Sequence, residues 1–131
     1  MRRFRLLFVM VALFASSMMY AQVSFSCNYR QTCQVGEDLE VDEDLCSGYE
    51  DNSLFVINEQ ETMFTHTTST IKSAYYINVS SYDEENETWT FQVVSDVGNK
   101  YTYIFKPDEK EIVAIPEDLS FFIIFKVKAI F

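Results

Sequence analysis

The breaks between apolar segments constrain this chain more than any other feature. From residue 53 onward, runs of five to nine residues rich in Val, Ile, Thr, Tyr and Phe are separated by short polar stretches. The runs cover residues 53–57, 62–67, 74–81, 87–95, 100–106, 111–115 and 121–129. Between them stand Asn58-Glu59-Gln60, Asp83-Glu84-Glu85-Asn86, Asp96-Val97-Gly98, Pro107-Asp108-Glu109-Lys110 and Pro116-Glu117-Asp118. Connections this short join antiparallel neighbours, because a parallel crossover needs about a dozen residues or more. The pattern therefore predicts an all-β, up-and-down antiparallel meander. Twelve Phe, eight Tyr and one Trp among 131 residues reinforce the strand reading. Three glycines and two prolines exclude collagen-like and linker-like chains.

One hairpin can be read in register. Asp96-Val97-Gly98 suits a three-residue loop whose last position is left-handed, a conformation glycine adopts without strain. That loop sets Trp89 opposite Phe105, Phe91 opposite Tyr103 and Val93 opposite Tyr101, which makes one aromatic face. Thr90, Gln92, Lys100 and Thr102 point the other way. Around the next turn Lys106 meets Glu111, and Phe105 falls opposite Ile112, again on the aromatic side. The second face still carries Val94, Ile104 and Val113. A sheet with apolar residues on both faces has to curl, stack or meet a partner. A rolled sheet or small barrel follows, with Val94, Ile104 and Val113 as the expected ligand or partner face.

The start of the chain reads as an address. Met1-Arg2-Arg3-Phe4-Arg5 is basic, residues 6–14 are an unbroken apolar run, and small residues lead to Ala21. A secretory signal peptide over residues 1–21 is expected. The run ends well short of the roughly 20 residues that span a bilayer, so no transmembrane helix is expected. Ser24-Phe25-Ser26 before Cys27 is a poor lipobox. Removing residues 1–21 takes three of the ten basic residues and none of the twenty acids, so the net charge passes from −10 to −13. Such a chain is repelled by nucleic-acid phosphates and anionic lipid heads.

Residues 22–52 form the least regular stretch, an acidic segment expected to pack as one unit with the β domain at 53–131. Val23 and Phe25 can start a strand, and Leu39-Glu40-Val41 can belong to another. The run Glu37-Asp38-Leu39-Glu40-Val41-Asp42-Glu43-Asp44 reads as a solvated loop. It lacks the turn glycine of a Ca²⁺ loop. Cys27, Cys33 and Cys46 are an odd number, so an exported chain forms at most one internal disulfide, and any of three pairings is open. The remaining thiol is expected to stay free and reactive or to pair with another molecule. Their spacing, even with His66 added, lacks the tight pairs of structural zinc, and no metal or cofactor is expected. His66, the one histidine, reads as an exposed or half-buried strand residue. No motif supports a nucleophile, and twenty acids place some pair at a catalytic separation by chance alone.

The leader ending Tyr20-Ala21-Gln22 looks like those of exported proteins in Bacteroidota. The stretches Phe64-Thr65-His66-Thr67-Thr68, Tyr75-Tyr76-Ile77 and Ser95-Asp96-Val97-Gly98-Asn99-Lys100-Tyr101-Thr102-Tyr103 resemble small secreted β-meander proteins of that group. The resemblance implies a bacterial envelope setting and brings no catalytic residue or ligand. Together the residues lead to an exported, non-catalytic protein of the periplasm, outer surface or medium that binds a small apolar ligand or an envelope protein. The alternatives are a small outer-membrane barrel, suggested by the apolar alternation back from Phe131, and a carboxylate-based hydrolase.

A chain cut in this way begins at Gln22. Intact-mass measurement of the exported protein checks this; a product that still carries residues 1–21 refutes it.

Overall fold

Eight antiparallel strands follow one another around a closed barrel, each bonded to the next and the last to the first. The computed structural model describes residues 22–35 and 41–131, with side chains from residue 45 in the second stretch. The leader expected at 1–21 and the side chains of the acidic run 37–44, read as a solvated loop, fall outside those described. The strands are β1 (Val23–Val35), β2 (Val41–Ile57), β3 (Met63–Thr67), β4 (Lys72–Asp83), β5 (Thr88–Ser95), β6 (Lys100–Lys106), β7 (Glu111–Pro116) and β8 (Phe121–Ile130).

The hairpins of the second half stand in the register that their turns dictate. Trp89 pairs with Phe105, Phe91 with Tyr103 and Val93 with Tyr101. Phe105 pairs with Ile112 and Lys106 with Glu111. Gly98 has φ of 89°, and its N–H donates to the Ser95 carbonyl at 2.9 Å. The same left-handed turn position recurs at Glu61, Glu87, Lys110 and Leu119, with φ from 51° to 57°. There a side chain tolerates a conformation that glycine would hold more cheaply.

The N-terminal stretch departs from the irregular reading. β1 and β2 form a long hairpin, and β1 also pairs with β8 from Phe25↔Ile130 to Gln34↔Phe121, which closes the barrel. Register shifts on both sides of β1 hide the two-residue alternation by which a strand is recognised. Gly48 in β2 lies beneath the Tyr29 ring, in space a Cβ would need. Cys33 and Cys46 sit directly opposite each other and form the disulfide, so one of the three open pairings is selected.

Rolling up puts the aromatic face inside. Phe25, Phe55, Phe64, Phe91, Phe105 and Phe125 are fully buried. Phe105 is their hub, with ring centroids 5.1 Å from Phe25, 5.9 Å from Phe55, 5.4 Å from Phe64 and 5.5 Å from Phe91. Most of these contacts are tilted or edge-on, the arrangement that the ring quadrupole favours. The outer wall is mixed: half-buried Val94, Ile104 and Val113 stand among Gln92, Thr102, Lys106 and Glu111. A Lys126–Glu111 ion pair at 2.7 Å bridges β7 and β8 on that wall.

Phe91→Ala should therefore cost about 3–5 kcal/mol of unfolding free energy. Thr90→Ala, one residue away on the outer wall, should cost less than about 1 kcal/mol. Denaturant titration of the two variants checks this, and equal losses would mean that β5 faces the other way.

Candidate functional site

β2 and β3 pair only from Ile57↔Phe64 to Leu54↔Thr67. Beyond Leu54, β2 runs on beside β1 alone, while the chain after Thr67 folds away into a tight turn. In that turn the Thr68 N–H donates to the Ile71 carbonyl at 2.8 Å, and the Thr68 hydroxyl accepts from the Ile71 N–H at 3.1 Å. The two strands thus part at one end of the barrel. A cavity of about 360 Å³ lies there, with Tyr49 and Asp51 of β2 on one side and residues 68–71 on the other.

Aromatic rings line the cavity together with Arg30, Asp51, His66, Ser73 and the hydroxyls of residues 68–70. Arg30 reaches the cavity because of an irregularity in β1. Strict alternation from Phe25 and Cys27 would turn Tyr29 inward, but the register shifts between Cys27 and Tyr29 against both neighbouring strands. Two residues, Asn28 and Tyr29, then separate inward Cys27 from inward Arg30. Arg30 lands opposite Phe125, its guanidinium carbon 5.5 Å from that ring's centroid. Re-aiming one side chain is a common consequence of a bulge. The Arg30 Nε–H is buried and meets no acceptor among the described residues.

His66 is 7% exposed, so the half-exposed reading of this residue is corrected. Its ring stacks on Phe55 at 4.1 Å and 5°, and meets the edge of Phe125 at 5.1 Å. Burial, with a smaller contribution from the Arg30 charge, lowers its pKa to about 4. It is therefore neutral near pH 7, and its Nε2 has no hydrogen-bond partner among the described residues. Tyr75, Tyr101 and Tyr103 complete the wall. Burial raises the Tyr103 pKa well above its usual range.

The residues singled out from sequence are dispersed. Val94 borders a shallow outer groove with Gln92, Thr102 and Ile115, while Ile104 and Val113 face each other as a cross-strand pair. All three lie on the outside of the barrel. Closure has enclosed the aromatic face instead, and the cavity is lined from that side. Cys27 is the free cysteine, but it is 2% exposed, and burial lifts its thiol to about 12 despite the Ser53 hydroxyl opposite. The expectation of a reactive thiol is thus corrected, because the thiolate is the reactive form. With Cys33 and Cys46 joined, the set of three thiols and His66 does not exist. Among the described residues no group of His, Cys, Asp or Glu converges as a metal site.

His66 makes stability depend on pH. Unfolded, it binds a proton near pH 6.5; folded, only near pH 4. Between those values the unfolded state holds more protons, so stability falls as pH drops through that window, by up to about 3 kcal/mol from this group. His66→Phe should remove that component, and the stability difference between variant and wild type should change steadily from pH 6.5 to 4. Denaturant titrations across that range check this; a constant difference refutes a buried neutral histidine.

No protein-family model, curated protein or solved structure matches this chain.

Proposed function

We propose that this chain is an exported, non-catalytic binding protein of the cell envelope that takes a small organic molecule into the open end of its barrel. The observation that carries the reading is the cavity where β2 and β3 part, at one end of a barrel whose middle is filled by its own phenylalanines. An eight-stranded barrel has an interior wide enough either to be packed or to hold one small ligand. Here the packing stops at Phe55 and Phe125, and beyond them stand Arg30, His66 and three tyrosines. Aromatic walls with a few convergent polar groups are the usual make-up of a ligand site. Export rests on the basic, apolar and small-residue order of the leader.

Two other readings fit less well. A membrane barrel turns an apolar band toward lipid, whereas this outer wall carries Lys106, Glu111 and Lys126 beside its apolar residues. Among the described residues no helix is long and apolar enough to cross a bilayer, a statement that leaves strands aside. A carboxylate hydrolase needs two facing acids. The cavity holds one, Asp51, and His66 Nε2 activates no hydroxyl among the described residues.

Native mass spectrometry of the protein purified from its own envelope should find a retained small molecule. Ser73→Trp, which places an indole at the cavity wall, should be recovered without it. A bare wild-type chain, or the same bound mass on both proteins, would overturn the reading.

A further inference from the structure

We infer that the molecule taken up is a small organic anion with a planar unsaturated body, its anionic head against the Arg30 guanidinium and its body against the tyrosine wall. This rests on the binding reading above and narrows it to a chemical class.

The first support is the state of Arg30. A guanidinium is charged at every accessible pH and carries five N–H donors. Phe125 covers one of its faces, which satisfies the charge in part but accepts no hydrogen bond. The chain has twenty acids and ten bases, yet the ion pairs among the described residues are Lys106–Glu109 and Lys126–Glu111. Asp51 lines the same cavity but stays beyond ion-pair distance of Arg30. Arg30 is half-buried with only its Nε–H shut away, so the rest of the guanidinium can meet an incoming anion, and no carboxylate of the chain already neutralises it.

The second support is the neighbouring histidine. His66 is more than nine-tenths buried, lines the same cavity, and its Nε2 lacks a partner among the described residues. Nε2 itself is closed off from solvent, so His66, its ring held by Phe55, forms a neutral wall beside Arg30 that does not compete for an anion. The third is the wall itself. Tyr75 lies edge-on to Tyr101 at 6.0 Å and tilted to Tyr103 at 5.1 Å, so Tyr75 and Tyr101, backed by buried Tyr103, present an aromatic wall against which a flat body can lie. The field of the whole chain opposes this preference. At a net charge of −10 the chain repels anions, so any selectivity for them has to arise locally.

The test uses two fluorescent probes that differ chiefly in charge, 1-anilinonaphthalene-8-sulfonate and the neutral N-phenyl-1-naphthylamine. The wild-type protein should bind the sulfonate at least about tenfold more tightly. Arg30→Met should abolish that preference and leave the neutral probe's affinity within about threefold. Ser73→Trp should weaken both, and near-ultraviolet circular dichroism should confirm that each variant keeps its packing. An arm without variants guards against misfolding: 2-naphthoate should displace the neutral probe from wild type at about tenfold lower concentration than 2-naphthalenemethanol. Equal affinity for the two probes in wild type, or a preference that survives Arg30→Met, overturns the anion inference and leaves the binding reading standing. Failure of both probes to bind, or binding of both unaffected by Ser73→Trp, overturns the binding reading itself.

Discussion

The edge-on packing of phenylalanines around Phe105 is the interaction on which the rest of the structure depends. Its ring touches those of Phe25, Phe55, Phe64 and Phe91, contributed by four other strands. No open sheet brings β1 and β5 to one point, so this cluster forms only when the barrel closes. Each ring pair adds about 0.5–1.5 kcal/mol beyond its buried area. The cluster also sets the limit of the filled interior. Once Phe55 and Phe125 have capped it, the space beyond is left to whatever the strands project there.

What they project is decided by β1. Its shift of register past Cys27 turns Arg30 toward Phe125, and β2, following β1, carries Tyr49 and Asp51 to the rim. The Cys33–Cys46 bond ties that same pair of strands where β2 has left β3 behind. A long two-stranded ribbon is marginal on its own. Here it is held by the crosslink, by β8 along one edge and by the Tyr29 ring laid over Gly48. The cavity is thus built on the most irregular strands, and its back wall on the most regular.

That division explains what the sequence reveals. β5, β6 and β7 are legible to the residue because Gly98 marks its turn and every second side chain from Trp89 to Val93, and again from Tyr101 to Phe105, is large and mainly apolar. Tyr101 and Tyr103 of the cavity wall belong to that legible face. Arg30 does not, since a two-residue count from Phe25 assigns it outward, and only pairing with β8 shows otherwise. His66 is visible as the lone histidine, but its neighbours Thr65 and Thr67 say nothing of the Phe55 ring eleven residues earlier that covers it. The choice of Cys33 and Cys46 depends likewise on a hairpin register that acidic, weakly alternating sequence does not encode locally. Alternation puts Val94, Ile104 and Val113 on the side of the sheet opposite Phe91 and Phe105; which side a sheet encloses is decided by closure.

The strand order has a kinetic side. Seven of the eight pairings join strands adjacent in sequence, so each hairpin can form as soon as its own residues are available. The pairing of β1 with β8 joins the two extremes of the described chain and has to wait for Phe121–Ile130. Until then the growing meander keeps two unpaired edges and one uncovered aromatic face, the condition in which sheets join to other sheets. Hydrogen exchange pulsed during refolding would see protection arrive last at the amides that bond across the β1–β8 seam. A chaperone that shields β-edges would have its time of need set by a single seam.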